Sequence, residues 1–305
     1  MSEENKNPLL CNIKSGICEM PGLDNADSSL AELSKVKEVK ITYFTDPICS
    51  TCWGIEPQLR KLKLEYGSNF EIDYRMGGLL PDWSYNSGGI SKPSDVASHW
   101  EEVSEHYNMP IDGGVWLEDP LSSSYPPSIA VKAAQLQDTS KAVGFMRKLR
   151  ELLFLQKKNI TRWEYIREAA IAVGLDTFQL KDDYEGRAKE VFQEDLAYAR
   201  KLGVRGFPTL FFTDKDDNQI TLYGFKPYQV FEDSLKRVYP DAMKKPIILH
   251  SDLSLFDYYP TLTIKEYAVI TDTSTDEAVK KLEKLFSEGK LYKEIIKNGV
   301  MYKIK

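Results

Sequence analysis

The sequence predicts an α/β fold: a small sheet interrupted by a large all-helical insertion, with a small winged-helix-like unit behind it. Three observations predict it. β-branched and aromatic runs occur at 39–45 and 70–76, apolar spacing is helical nearly throughout about 94–202, and β patterning returns at 209–213 and 219–223. The organisation expected from this is an irregular arm over 1–35, an α/β domain over 36–240 and a C-terminal unit over 253–305.

Residues 1 to about 35 hold Asn, Asp, Ser, Gly and Pro with little apolar periodicity, the composition of an irregular arm, and they carry Cys11 and Cys18. The run Val39-Lys-Ile-Thr-Tyr-Phe-Thr45 reads as a strand, stopped by Asp46-Pro47. Trp53, Ile55, Leu59, Leu62 and Leu64, with Pro57 early, place a helix from the following cysteine pair to about Tyr66. Phe70 to Met76 is a second strand, and the Gly/Pro/Ser/Asn-rich stretch from Gly77 to about Pro93 is a long loop. Within the insertion, Ile129, Ala133, Ala134 and Leu136 mark one helix, with others around Phe145 to Leu155 and Ile166 to Val173.

Asp214-Lys-Asp-Asp-Asn218, between the two returning strands, is turn chemistry for a hairpin, and a helix from about Pro227 to Val238 closes the domain. Beyond Tyr239-Pro240, helices are expected at about 264–270 and 276–288, then two β-like runs separated by Lys297-Asn298-Gly299. Asn-Gly is a strong hairpin turn, and helix, turn, helix, hairpin is a winged-helix pattern.

The chain has 305 residues, 42% hydrophobic and 28% charged, an ordinary globular composition. A formal net charge of -6 supplies no global attraction to phosphate or anionic lipid, so nucleic-acid and membrane partners are not expected. The opening Met-Ser-Glu-Glu-Asn-Lys-Asn-Pro is polar, and no apolar run approaches the ~18 residues of a spanning helix. The expected location is therefore the cytoplasm. Four cysteines in such a chain point to catalytic or metal-binding use rather than to a disulfide scaffold.

Cys49 and Cys52, two residues apart at the start of a helix, can close a small disulfide ring and cycle between dithiol and disulfide. A thiol just outside a helix N-terminus meets the positive end of the macrodipole and free N–H groups, which favour its thiolate. Cys49 is thus the expected nucleophile and Cys52, in the first turn, the resolving thiol. Half of a zinc knuckle, or an inert pair, would not call for a strand before and a helix after. Trp53 is read as a core residue and, beside the site, as an aromatic that shields the thiols next to a substrate, two roles the sequence does not separate. In Gly203-Val-Arg-Gly-Phe-Pro-Thr-Leu210, Pro208 directly precedes a returning strand, where an X-Pro bond can be held cis; a plain turn proline is the simpler alternative. A cis proline there leaves the preceding amide free to pair with an extended substrate.

Asp46-Pro-Ile-Cys-Ser-Thr-Cys-Trp-Gly54, with Gly77-Gly-Leu-Leu80 and Gly203 to Thr209, resembles the DsbA family of thiol-disulfide oxidoreductases in its FrnE-like cytoplasmic branch. Gly114-Val-Trp116, Leu121-Ser-Ser123 and Phe154-Leu-Gln-Lys-Lys-Asn-Ile-Thr161 are also similar to YjbH/SpxH adaptors of a Clp protease. The resemblance spans about 39–240 and implies a thioredoxin-like fold with a helical insertion, Cys49 as nucleophile, Cys52 as resolving thiol, Pro208 as the cis proline and Phe207 facing substrate. It implies protein or small-molecule disulfides as substrates and no cofactor; the alternative it carries is a redox-sensing adaptor whose partners are a protease and its clients. The dipeptide Ser50-Thr51 differs from those of better-known relatives, which leaves oxidase, reductase and isomerase chemistry open.

Cys11 and Cys18 have three readings: an auxiliary redox pair, a zinc site completed by other ligands, or two reduced thiols on the arm. His99, His106 and His250 are scattered and form no ligand set, and Glu101, Glu102 and Glu105 read as a solvated helix face. In the C-terminal unit, Asp276, Glu277, Glu283 and Glu288 offset the lysines, which favours protein contact over DNA reading.

Overall fold

Strand β1 (Val39–Thr45) is buried along all but one residue, as its near-continuous apolar and aromatic run demands of a central strand. It pairs in parallel with β2 (Phe70–Met76), an edge strand. In the computed structural model residues 37–84 and 92–305 are described, so the expected arm over 1–35, with Cys11 and Cys18, lies outside the described residues.

The helix expected from the cysteine pair to Tyr66 is two helices, α1 (Ser50–Gly54) and α2 (Glu56–Tyr66), meeting at Ile55. Pro57 has no N–H to give the Trp53 carbonyl four residues back, so the helical ladder breaks and restarts there. After β2 the chain runs through α3 (Pro93–Tyr107), α4 (Val115–Glu118), α5 (Tyr125–Gln137) and α6 (Thr139–Gln156). It continues through α7 (Trp163–Ala172), α8 (Thr177–Glu185) and α9 (Ala188–Lys201) before returning to the sheet. Strands β3 (Thr209–Asp214) and β4 (Gln219–Tyr223) then form the expected hairpin, and α10 (Tyr228–Val238) follows. The sheet order is β2-β1-β3-β4, with β3 antiparallel to β1.

Among the described residues two large cores and a smaller cluster of Phe44, Ala199 and Phe211 occupy this domain. Val39, Ile41 and Tyr43 pack with Leu59, Leu62, Phe212 and Phe231 between the sheet, α2 and α10. The insertion packs Trp100, Trp116, Phe145, Leu149, Phe154 and Phe192 about a second core, which takes in Ile48 and Trp53 from the thiol segment.

The C-terminal elements are α11 (Leu255–Tyr258), β5 (Thr261–Thr263), α12 (Ile264–Thr271), α13 (Thr275–Ser287), β6 (Leu291–Ile296) and β7 (Gly299–Ile304). Their sheet has the order β5-β7-β6, all antiparallel, with β6 and β7 joined through Lys297-Asn298. The three residues of β5 are too few to show a period of two, which is why sequence patterning passes over them. Thr263 caps α12 and Ser274 caps α13, each in a reciprocal capping box with the glutamate three residues on, Glu266 and Glu277. Ile296 and Met301 of this unit belong to the core of the insertion, so the hairpin is packed into the larger domain rather than hung from it.

Candidate functional site around Cys49 and Cys52

Cys49 is the N-cap of α1, with an extended backbone (φ -75°, ψ 108°), because Asp46-Pro47 turns the chain out of β1 just before the helix begins. Its Sγ accepts the Cys52 N–H at 3.1 Å, its N–H donates to the Asp46 carbonyl at 3.2 Å, and its carbonyl accepts the Trp53 N–H at 3.0 Å. A sulfur so placed receives an orphan helix N–H, which favours negative charge on it. Cys49 and Cys52 are joined in a disulfide with their Cα atoms 5.2 Å apart. Cys49 is 4% exposed and Cys52 is fully buried, so the pair presents one sulfur at most to a partner.

Asp46 holds the turn before Cys49. Its carboxylate is fully buried and accepts the N–H of Ile48 at 3.0 Å, the N–H of Leu79 at 2.8 Å and the Ser124 hydroxyl at 2.9 Å. One side chain therefore ties the thiol turn to the Gly77-Gly78-Leu79-Leu80 loop and to the insertion. Burial outweighs these donors and pushes its pKa up to about 6.

The Phe207–Pro208 bond is cis. The β1–β3 register pairs Phe44 with Thr209, so Pro208 lies one step further, level with Thr45 at the end of β1 that leads to Cys49. Gly77 donates to the Thr45 carbonyl at 2.7 Å on the other side. A Cβ there would come within 2.0 Å of the Phe207 ring, so glycine lets that ring lie against the loop. From the insertion, Tyr107 lies against Gly54 and brings its hydroxyl to 3.4 Å from the Thr51 hydroxyl; it stacks on Phe225 with ring centroids 4.5 Å apart.

Trp53, read as a core residue that also shields the thiols, is fully buried directly after Cys52. Its indole N–H donates to the Pro110 carbonyl at 3.1 Å, one face lies 5.5 Å from the Phe154 ring, and the Arg147 guanidinium sits 4.3 Å from the ring centroid. Arg147 belongs to a buried ion cluster. It binds Glu151 at 2.8 Å and Glu266 at 2.6 Å, Arg60 reaches Glu266 at 3.2 Å, and Arg150 binds Glu56 at 2.5 Å. Arg150 also donates to the Thr45 hydroxyl at 2.7 Å and to the Asp46 carbonyl at 3.2 Å, directly behind the thiol turn. Buried opposite charges hold Arg147 above and Glu266 below their ordinary pKa ranges.

Sequence reasoning did not single out Asp46, Tyr107 or this cluster. A signal for the cluster was present: Arg147, Arg150, Glu151 and Phe154 recur at three- and four-residue spacing, so the charges share a helix face with an aromatic. Cys11 and Cys18 lie outside the described residues.

A family model described as thioredoxin matches residues 43–233. The ClpXP adapter protein SpxH of Halalkalibacterium halodurans is 36% identical over 94% of both chains. SpxH of Bacillus subtilis is 32% identical over 88% of this chain and 89% of its own. Among solved structures, the cytosolic disulfide reductase DsbM of Pseudomonas aeruginosa superposes with a TM-score of 0.53 at 20% identity, covering 65% of this chain and 98% of its own, a likeness of fold. On the sheet, the inserted helices and these matches together, the chain belongs to the thioredoxin family and, within it, to the family of the SpxH proteins.

Proposed function

We propose that this protein is an adapter that brings client proteins to a ClpXP-type protease in the cytoplasm, with Cys49 and Cys52 as a redox-sensing pair. The observation that carries this is the extent of the kinship. The thioredoxin model ends at residue 233, whereas a match to SpxH over 94% of the chain necessarily takes in most of the C-terminal unit. Disulfide exchange needs only the thioredoxin part; an adapter needs a further surface. We assign that role of protein contact to the winged-helix-like unit over 253–305.

A second reading, dithiol-disulfide exchange on protein substrates, is favoured by the N-cap position of Cys49. In it the Cys49 thiolate attacks a substrate disulfide, Cys52 displaces the reduced substrate, and Phe207 and Pro208 form the substrate edge. The two readings separate in a reconstituted assay of full chain, ClpXP and a client captured on the chain. As an adapter, the protein accelerates client degradation, and replacing both Cys49 and Cys52 by Ser preserves that effect while abolishing its response to the glutathione redox ratio. Degradation indifferent to the chain overturns the adapter reading; loss of insulin-disulfide reduction in the same variant, with no effect on any client, supports exchange instead.

A further inference from the structure

We infer that the C-terminal unit is a working part of the thiol site: Glu266, through Arg147 on the face of Trp53, sets the balance between disulfide and dithiol at Cys49–Cys52. The inference rests on the pair being redox-active, as proposed above.

The connection is continuous and buried. Trp53 follows Cys52 directly in α1; its ring stacks 5.5 Å from Phe154 and carries the guanidinium of Arg147 4.3 Å from its centroid. Glu266, in the first turn of α12, takes two of the Arg147 nitrogens, at 2.6 and 3.1 Å, in a fork that fixes the plane of the guanidinium. Thr263 holds Glu266 in turn, donating its N–H to the carboxylate at 2.8 Å. A second strut reaches the other edge of Trp53: the indole donates to Pro110, and a Cβ on Gly299, at the start of β7, would meet Pro110 at 3.0 Å. Asn298 in the same hairpin turn donates to the Ile111 carbonyl at 3.3 Å. Both ends of the C-terminal unit thus bear on the residue beside Cys52.

Charge gives this contact a sign. Arg60, Arg147 and Arg150 face Glu56, Glu151 and Glu266, with Lys148 at 3.9 Å from Glu151 on the more exposed edge, and Glu266, fully buried, is the member contributed by the C-terminal unit. Reduction adds negative charge nearby. Each disulfide takes two electrons from two glutathione thiols, which leave as one glutathione disulfide; of their two protons one stays on the Cys52 thiol and one passes to solvent, leaving the Cys49 sulfur at the helix N-terminus as a thiolate. A buried unbalanced charge acts over several ångströms. Deleting the Glu266 charge therefore favours the dithiol and deleting the Arg147 charge disfavours it. By linkage, reduction loosens the seating of α12 by the same factor.

The test is the equilibrium constant of the full chain with reduced and oxidised glutathione at pH 7.5, read by thiol alkylation. Glu266→Gln is expected to shift it toward the dithiol by about fivefold or more, Arg147→Met toward the disulfide by a similar factor, and the double variant to return near the wild type. Asp272→Asn, which loosens the same interface at a pair remote from Trp53, is expected to leave it within about twofold. Hydrogen exchange over Ile264–Thr271 is expected to be faster in the reduced than in the oxidised wild type. If Glu266→Gln does not fold, Arg147→Met against the double variant carries the same comparison. Shifts of one sign for both single variants, or an equal shift in Asp272→Asn, mean a merely structural role and overturn the inference, as does one constant shared by all. If the wild-type pair does not interconvert in any glutathione buffer, the redox-sensing reading itself falls.

Discussion

At the scale of single residues, Asp46 shows how burial and hydrogen bonding compete. All its partners donate, which suits a carboxylate, yet removal from water is the larger effect and raises its pKa from 3.8 to about 6. The folded protein therefore holds this proton more tightly than the unfolded chain. The group contributes stability fully below the unfolded value near 3.8, and that contribution is lost as pH rises through about 6. Asp46→Asn removes the titration, so urea unfolding of wild type should lose about 2 kcal/mol relative to the variant between pH 4 and pH 6.5. Parallel curves for the two proteins would contradict this. The sequence offers Asp46 as the residue that stops a strand and opens the cysteine segment; Leu79 and Ser124, which donate to its carboxylate, are distant in the chain.

At the scale of elements, local chemistry decides where helices begin. Pro57 ends the ladder of α1 and the helix restarts at Glu56, after the single residue Ile55, which keeps α1 to five residues behind its N-cap Cys49. Thr263 has a double duty: it caps α12 through the Glu266 N–H at 3.1 Å and also holds the Glu266 side chain for the ion cluster. Thr263→Ala is expected to cost about 1–2 kcal/mol in urea unfolding, and Thr263→Ser to restore most of it, since the hydroxyl is what caps. Equal losses in the two variants would show that the methyl packing, not the cap, is what matters. The starts of α12 and α13 are legible in sequence to within a residue or two, since Thr263-x-x-Glu266 and Ser274-x-x-Glu277 are capping boxes in the letters themselves, whereas the sequence predicts one continuous helix across the break at Pro57.

At the scale of the whole molecule, the C-terminal elements are held to the thioredoxin part by ion pairs of unequal depth. Glu266 is fully buried between Arg147 and Arg60, whereas Asp272, paired with the buried Lys61, is 74% exposed. Removing one member of a buried pair strands its partner without solvent, so Glu266→Ala is expected to lower stability by about 3–5 kcal/mol. Asp272→Ala should cost less than about 1 kcal/mol, because water screens the pair and Lys61 keeps its seat on the Tyr228 ring. Thermal melts of the two variants against wild type measure the contrast, and similar losses would refute it.

The sequence by itself determined the strands, the helical insertion between them and the placement of Cys49 before a helix, because these follow from periodicity, turn residues and caps that act over a few positions. It also carried the candidate proline, whose value comes from lying directly before a strand. Only the tertiary structure decided what surrounds the pair. Trp53 is buried in the core, burial raises the pKa of Asp46, and Arg147 meets Glu266 across 119 residues of chain. Such contacts depend on desolvation and on which faces meet when the elements pack, and no short-range pattern encodes either.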